Sequence, residues 1–361
     1  MIFASSFVRH SAVLVFAVIL GGIMVSCASV KLVAPHSGEE ISLYRADYRS
    51  CIAQRKDKKY GEIENIAFPE PVRFKWECRD GACTGGVLEI SRRADFAELD
   101  RSIPADGVNS LEVYNLQTGT EYFWRIRGDR CRSAAGVFRT GGEVPRIIRM
   151  TPPHPVNIRD IGGKMVPGVG RVRQGLVFRG SEINEVASGR SISGENLATM
   201  REVLKIRTDL DLRYPVQVEG MKASPLGTDV NYIHVPVNAY NSFTPEQNQL
   251  FSRALRVFAD SSNYPVYVHC AGGADRTGEI VFLLEQLLGV PREEALIEYE
   301  TTSLSIYPRP RTIDYFQKWL AGIAEIGGAE NPPEQQVVNY LKSIGITDAE
   351  IQSIRNILIE K

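Results

Sequence analysis

The chain has 361 residues, a length that fits about two domains and exceeds one small module. Hydrophobic residues make up 43% and charged residues 24%, a composition that excludes a largely disordered chain. The 42 basic and 43 acidic side chains give a net charge of -1, so the charge does not indicate a nucleic-acid partner. The five histidines do not cluster with cysteines at zinc-ligand spacing, so we expect no metal site.

Residues 1–27 have the pattern of an export signal. A basic start precedes an apolar run over 12–25, which is too short for a comfortable membrane span and suits a signal peptide. The sequence MVSC at 24–27 resembles a bacterial lipobox, in which the cysteine is lipidated and becomes the mature N-terminus. We expect an exported lipoprotein of a bacterium, in the periplasm or at the cell surface, whose only membrane contact is the lipid on Cys27. Ordinary signal-peptidase cleavage is the alternative.

Export changes the interpretation of the remaining cysteines, because an oxidising compartment favours disulfides. Four of them fall before residue 142 and allow two disulfides in three pairings: Cys51, Cys78, Cys83 and Cys131. Cys270 is left without a partner far downstream. An unpaired thiol in such a compartment indicates a chemical role.

Residues 28–141 contain short segments in which apolar and polar residues alternate between turns, which is typical of a β-sandwich. The predicted strands are 72–76, 87–90, 111–114, 116–119, 122–126 and 136–140. The positions of Trp76, Leu116, Thr120 and Tyr122 resemble those of a fibronectin type III domain. No residue in this domain has a pattern that indicates catalysis.

A glycine- and proline-rich linker at 142–156 separates this domain from a second one at 157–361. Strand-like segments at 206–212, 231–237 and 266–268 now alternate with helical ones. The alternation predicts an α/β domain with a parallel-type central sheet flanked by helices. One helix follows the third strand and ends before Gly289.

Between that strand and that helix lies the sequence HCAGGADRTG at 269–278. Small residues let successive backbone N–H groups form an anion-binding nest, and the N-terminus of the helix adds a positive dipole. The planar guanidinium of Arg276 suits two oxygens of a phosphate. These groups favour the thiolate form of Cys270, which we expect to be reached by solvent and to act as a nucleophile.

The loop resembles the phosphate-binding signature of protein tyrosine phosphatases. The segments NIRDIGG at 157–163, FRGS at 178–181 and DLR at 211–213 are similar to motifs of one bacterial branch of that family. The resemblance implies catalysis by Cys270 and Arg276 without a cofactor. It also implies phosphate binding by the residues of the loop, namely Ala271, Gly272, Gly273, Ala274 and Thr277. Thr277 would donate a hydrogen bond to the cysteine sulfur.

Ala274 departs from the lysine that this branch usually carries. The departure favours phosphotyrosine or another monoester over polyanionic lipid headgroups. His269 is expected to support the loop by hydrogen bonding. Arg159 and Asp160 are expected to form a buried ion pair rather than to take part in catalysis.

The proton donor to the leaving group is left open between two aspartates. Asp211 ends a predicted strand, in the family's Asp-Leu-Arg position, and its carboxylate could converge with Cys270. Asp275 lies inside the loop and is the competitor, and Asp229 is a more distant third candidate. Asp211 is preferred, and its alternative role is that of a structural acceptor for loop amides.

The sequence therefore predicts a cysteine-dependent phosphatase that forms a cysteinyl-phosphate intermediate. Its partner is a phosphorylated protein, most often on tyrosine, or a small phosphomonoester. The alternatives are a phosphoinositide or lipid phosphatase, and a surface binding protein with an inactive second domain. A rhodanese-like sulfur transferase is disfavoured by the Arg-Thr-Gly ending of the loop.

Overall fold

The computed structural model of the protein describes residues 28–45, 48, 50, 68–78, 85–128, 131–152, 155–305 and 314–361. The predicted signal peptide and lipobox lie outside these residues. Cys78 is disulfide-bonded, and the side chain of its partner lies outside the described part of the chain. In the described ranges, no helix is long and apolar enough to span a membrane.

Nine strands occupy the described part of residues 28–140. They are β1 (Ala28–Ala34), β2 (Glu39–Ile41), β3 (Val72–Cys78), β4 (Val87–Ser91), β5 (Arg101–Pro104), β6 (Ser110–Val113), β7 (Glu121–Arg127), β8 (Cys131–Ser133) and β9 (Gly136–Thr140). One ladder runs β2-β9-β7-β4-β5 and another runs β1-β3-β6, while β8 pairs with both β7 and β1. Buried side chains from both ladders form one hydrophobic cluster, as in a sandwich.

Two details of this part differ from the predicted strands. Residues 116–119 do not form a strand but lead into a turn, where the N–H of Gln117 donates to the Tyr122 hydroxyl at 2.9 Å. Leu116 is buried although it lies in no strand, and this explains why the sequence of residues 116–119 resembled that of a strand. Strands β1, β2, β5 and β8 were not predicted, although each of them pairs with a neighbouring strand.

Nine further strands are described after residue 140. They are β10 (Arg146–Ile147), β11 (Arg159–Asp160), β12 (Met165–Val166), β13 (Gly170–Val172), β14 (Val177–Gly180), β15 (Thr208–Asp211), β16 (Asn231–His234), β17 (Val266–His269) and β18 (Ile359–Glu360). The main sheet has the order β10-β11-β14-β17-β15-β16, and β12, β13 and β18 form a small separate sheet.

The main sheet is mixed, which corrects the prediction of a parallel-type sheet. Strands β14, β17, β15 and β16 are parallel, whereas β10 and β11 pair antiparallel at one edge. Antiparallel neighbours need no crossover helix, so short connections suffice for β10 and β11. Three of the four parallel strands, β15, β16 and β17, were predicted from the sequence, whereas β14 was not.

Seven α-helices are described. They are α1 (Gly194–Ala198), α2 (Pro245–Arg256), α3 (Asp275–Leu288), α4 (Arg292–Thr301), α5 (Asp314–Gly327), α6 (Pro333–Ser343) and α7 (Asp348–Leu358). Helix α3 is buried from Arg276 to Leu288 and packs between the sheet and the other helices. It ends as predicted at Gly289, whose φ of 86° is the left-handed conformation that closes a helix.

Hydrogen bonds join the sandwich to the second part of the chain. The side chain of Gln174 accepts from the Thr118 N–H and donates to the Thr118 carbonyl, both at 2.9 Å. Arg146 donates to the carbonyl of Asn115 at 3.2 Å. The linker is thus fixed against both parts of the described structure.

Candidate active site

Cys270 follows the last residue of β17, which lies between β14 and β15 in the main sheet. The carboxyl ends of parallel strands are the usual place for ligands in open α/β sheets. Only 2% of Cys270 is exposed, which corrects the expectation of a thiol reached freely by solvent. The loop that follows wraps around it, so the thiol lies at the floor of the site.

The carbonyl groups of this loop are held from one side. The Ala271 carbonyl accepts from the N–H of Glu182 at 3.1 Å. The amide of Asn157 donates to the carbonyls of Gly272 and Gly273 at 3.2 and 3.0 Å. Three consecutive carbonyl groups therefore face the segments around β11 and β14.

The N–H groups of the loop point the other way. In a trans peptide the N–H of one residue is antiparallel to the carbonyl of the residue before it. Fixing the carbonyls of 271–273 consequently directs the N–H groups of Gly272, Gly273 and Ala274 to the opposite side. Within the described part of the chain, no acceptor bonds these N–H groups. They form a concave set of donors next to the N-terminus of α3, as anion binding requires.

Gly273 is required by the close approach of two chain segments. Its φ is 63°, and a Cβ atom there would overlap the carbonyl group of Gly180. Arg179 also donates to the Gly273 carbonyl. The loop thus packs directly against the end of β14, and a side chain at 273 would push the two apart.

Glu298 of α4 joins the arginines behind the loop. Its Oε1 accepts from Arg179 Nη1 at 2.9 Å and from Arg159 Nε at 3.0 Å. Burial alone would raise the pKa of Glu298, but the two guanidinium groups outweigh burial and lower it to about 2. Arg159 was expected to pair with Asp160, but Asp160 pairs instead with Arg146 at 2.6 Å. Both residues lie in buried ion pairs, with separate partners.

Arg276 is anchored through one end of its guanidinium. Nη1 donates to the Leu212 carbonyl at 3.2 Å and to Gln217 Oε1 at 3.0 Å. The ring of Tyr214 lies 4.3 Å from the guanidinium carbon, at cation–π distance. Nε and Nη2 bond to no described residue, so this edge can take two oxygens of one anion.

Asp211 does not have the environment of a proton donor. Its two carboxylate oxygens accept from Arg213 Nε and Nη2 at 2.7–3.0 Å, and the Tyr232 hydroxyl donates at 3.1 Å. Burial would raise the pKa of Asp211, but His269 and Arg213 outweigh it and lower it to about 2. An ionised carboxylate with several donors has no proton to give at neutral pH. The structure thus favours the alternative, structural role of Asp211.

His269 supports the loop from within the sheet. Its Nε2 lies 2.8 Å from Asp209 Oδ1, and its Nδ1 lies 3.3 Å from the Cys270 carbonyl. Burial would lower the pKa of His269, but Asp211 and Asp209 outweigh it and raise it. The contacts are those of a supporting residue, as the sequence predicts.

Asp275 and Asp229 have different surroundings. Asp275 is the first residue of α3, is partly exposed, and accepts from the Tyr240 hydroxyl at 2.7 Å. Asp229 pairs with Arg201 at 2.8 Å on the surface. Of the three aspartates, only Asp275 lies within the loop-to-helix junction that contains Cys270 and Arg276.

The hydroxyl of Thr277 does not bond to the cysteine sulfur. It is buried, and no described residue lies within hydrogen-bond distance of it. The expected bond is therefore not formed in this structure. Among the residues that the structure describes, no group of three or more His, Cys, Asp or Glu side chains could hold a metal ion.

Three residues of the site were not predicted from the sequence, because their contacts are long-range. Gln217 and Tyr214 contact Arg276 from a segment about 60 positions earlier in the chain, and Tyr240 reaches Asp275 from another loop. The one available signal was a cluster of polar and aromatic residues just after the DLR segment at 211–213.

Comparisons with known proteins find sequence similarity in part of the chain. Residues 152–326 match the tyrosine phosphatase family. A tyrosine-protein phosphatase of Nostoc commune is 30% identical over 137 residues, which cover 32% of this chain and 47% of that protein. The chain thus spans about half the length of this curated relative.

Two solved structures are similar at low identity. The core catalytic domain of the PP-IP phosphatase SIW14 from S. cerevisiae is 20% identical, with 41% of this chain and 86% of that chain covered and a TM-score of 0.29. TpbA from P. aeruginosa is 14% identical, with 53% and 92% covered and a TM-score of 0.29. Residues 152–326 are therefore similar in sequence to the tyrosine phosphatase family.

Proposed function

We propose that this domain hydrolyses phosphate monoesters, foremost protein phosphotyrosine, through a cysteinyl-phosphate intermediate. The observation that carries the proposal is the arrangement of the loop after β17. Hydrogen bonds fix the carbonyls of residues 271–273 on one side, and the N–H groups of residues 272–274 face the other side, above Cys270. The bidentate edge of Arg276 supplies the remaining donors to a phosphate. These groups would bind the three non-bridging oxygens and place phosphorus over the thiolate.

In the first step, the Cys270 sulfur attacks phosphorus. The S–P bond forms while the bond between phosphorus and the leaving oxygen breaks. The leaving oxygen takes a proton from Asp275, which we prefer to Asp211 because Asp211 is buried in an ion pair with Arg213 whereas Asp275 is partly exposed at the junction of the loop and α3. The loop donors stabilise the charge that collects on the equatorial oxygens.

In the second step, water attacks the phosphorus of the intermediate. The Asp275 carboxylate takes a proton from that water, the S–P bond breaks, and the thiolate is regenerated with release of phosphate. The cycle needs no cofactor, because every proton and electron pair returns to its starting group.

An aromatic substrate is favoured by the rim of the site. Tyr214 is 37% exposed next to Arg276, and Val216 is 75% exposed on the same segment. These two side chains offer an apolar surface to the ring of a phosphotyrosine. Ala274 adds no cation to the loop, so little in the loop favours a second phosphate on the substrate.

The location of the protein and the identity of its first domain belong to the same proposal. The apolar run at 12–25 and Cys27 support export and lipid anchoring in a bacterium. The strand pattern of 28–141 supports a fibronectin type III-like role as a separate module. If native protein carries no lipid on Cys27, the anchor is contradicted.

The test is hydrolysis of p-nitrophenyl phosphate by the full chain, with and without a chelator. Cys270→Ser replaces the thiolate with a hydroxyl that stays protonated, so we expect turnover to fall at least 1,000-fold, on the order of 4 kcal/mol. Phosphate or vanadate binding should persist, since the loop donors remain. Near-normal turnover by Cys270→Ser, or loss of wild-type activity on chelation, would overturn the proposal.

A further inference from the structure

A chain of hydroxyl groups leads from α4 to the carboxyl group of Asp275. The Tyr240 hydroxyl donates to Asp275 Oδ1 at 2.7 Å. The same hydroxyl lies 2.7 Å from the hydroxyl of Tyr299. Because Tyr240 gives its proton to Asp275, it accepts from Tyr299. Two phenol groups are thus aligned in one direction toward the aspartate.

Tyr240 is held in place by its backbone as well. Its φ is 56°, a conformation that non-glycine residues rarely adopt. Its N–H donates to Glu279 Oε1 at 2.9 Å. Glu279 lies one turn after Asp275 on α3, so the helix holds the backbone and the hydroxyl of Tyr240 at successive turns. Strained backbone of this kind persists where surrounding contacts fix it.

Burial disfavours the ionised forms of both Tyr240 and Glu279. Burial, with a contribution from Asp275, raises the pKa of Glu279 well above its ordinary value. Burial, Tyr299 and Asp275 raise the pKa of Tyr240, so its phenol keeps its proton and remains a donor. Neither side chain therefore brings a second negative charge next to the carboxylate of Asp275.

Tyr299, at the far end of this series of hydroxyl groups, is tightly packed. A Cβ atom on Gly278 would lie 2.8 Å from Tyr299 Cδ2, so the ring packs directly on α3. Phe316 meets the same ring edge-on, with the centroids 3.8 Å apart. The glycine of the Arg-Thr-Gly segment thus makes room for the tyrosine that orients Tyr240.

We propose that Tyr240 is a positioning residue that holds Asp275 in the orientation for proton transfer to the leaving group. The inference rests on the proposed function, because it assumes that Asp275 is the proton donor. A phenol bond to Oδ1 restricts rotation of the carboxyl group. Tyr240 itself does not touch the substrate.

The titratable and charged groups that face Asp275 come from two parts of the described chain. Glu279 on α3 and Tyr240 from another loop interact with Asp275 directly. Cys270 and Arg276 interact in turn with Glu279, and Tyr299 interacts with Tyr240. Cys270 and Arg276 belong to the catalytic machinery, so changing either would stop the reaction itself. The bond from Tyr240 to Asp275, in contrast, is removed by deleting one oxygen atom outside that machinery.

The experiment uses Tyr240→Phe in the full chain, which keeps the ring and its packing on Phe316. With phenyl phosphate, a poor leaving group, we expect kcat to fall about tenfold, since the carboxyl group of Asp275 loses the hydrogen bond that orients it. With p-nitrophenyl phosphate, whose leaving group departs more easily without a proton, the fall should be less than about threefold.

Tyr264→Phe is the matched control. It removes another buried phenol bond, of 2.7 Å to the Phe258 carbonyl, away from the loop. It should leave the leaving-group dependence unchanged. In an Asp275→Asn background, Tyr240→Phe should have no further effect on kcat, because both residues act in one step.

Several results would overturn the inference. Equal losses on both substrates, or additive losses in the double variant, would show that Tyr240 acts on stability alone. These results leave the proposed function intact, provided that Cys270→Ser is inactive. An active Cys270→Ser protein would overturn both.

Discussion

Asp211 and Asp275 show how the contacts of two chemically identical side chains separate their roles. Arg213 forms an ion pair with Asp211 at 2.7 Å and stabilises its ionised form, whereas Asp275 lies partly exposed at the start of α3. A proton donor must hold a proton at working pH, which Asp211 with a pKa of about 2 does not. We therefore propose Asp275 as the proton donor, in place of Asp211, which the sequence favours.

Substitution of each aspartate distinguishes the roles. Asp275→Asn should lower kcat on phenyl phosphate by about 100-fold and on p-nitrophenyl phosphate much less. Asp211→Asn should instead lower stability and affect both substrates equally, since it removes a partner of a buried arginine. The ratio of kcat for the two substrates is the measurement. A ratio that changes only in Asp211→Asn would return the proton donor to that residue.

The two depressed carboxylates also predict a dependence of stability on pH. The pKa values of Asp211 and Glu298 are lowered to about 2 from ordinary values of 3.8 and 4.5. Their contribution is therefore present above about pH 4.5 and is lost as the pH falls toward 2, by on the order of 2–3 kcal/mol for each group.

Urea unfolding between pH 6 and pH 2.5 measures this loss. Asp211→Asn should be less stable at pH 6 but should lose less on acidification, because one of the titrating groups is gone. Parallel curves for the variant and the wild type would contradict the assignment.

At the scale of elements, the connection between β17 and α3 depends on Gly273. Gly273→Ala should strain a backbone at φ 63° and place Cβ against Gly180, so we expect a loss of more than about 2 kcal/mol together with loss of phosphate binding. Gly189→Ala is the control, since its φ is 67° with no atom within 4 Å of the added Cβ.

The control should cost about 1 kcal/mol and leave kcat unchanged. Thermal unfolding and a phosphate-inhibition assay compare the two variants. Equal effects would mean that only the backbone conformation matters, and not the contact with β14.

The parts of the structure that were predicted depend on local sequence. The loop and helix of 269–289 lie within one continuous segment, so their spacing alone indicates strand, turn and helix. The contacts that hold the loop join residues far apart, such as Asn157 with Gly273 across 116 positions and Arg159 with Glu298 across 139. Such pairs leave no periodicity, and this is why Arg159 was assigned to its sequence neighbour Asp160.

At the scale of the whole molecule, hydrogen bonds join the sandwich to the part of the chain after residue 156. Gln174 makes two of them with the backbone of Thr118, at 2.9 Å each. The residues that make these bonds are separate from Cys270, Arg276 and the loop. We therefore expect the interface to contribute to stability without taking part in the proposed reaction.

Gln174→Ala should lower the free energy of unfolding by about 1–3 kcal/mol, because it leaves backbone groups of Thr118 without a partner. We expect kcat to be unchanged. Gln352→Ala removes a glutamine that bonds to Asn356 on the exposed surface, and it should change stability by less than about 0.5 kcal/mol. Differential scanning calorimetry and an aryl phosphatase assay make the comparison. A lower kcat in Gln174→Ala would show that the sandwich helps to shape the active site.

The fixed carbonyls of residues 271–273 have a thermodynamic consequence for inhibitors. Since folding has already ordered the donors of the loop, an entering oxyanion gives up its water without having to organise the protein around it. Binding of vanadate should then be favoured by enthalpy, with a heat-capacity change close to zero, because almost no apolar surface is buried. A loop that closed only on the ligand would give a clearly negative heat-capacity change and an unfavourable entropy.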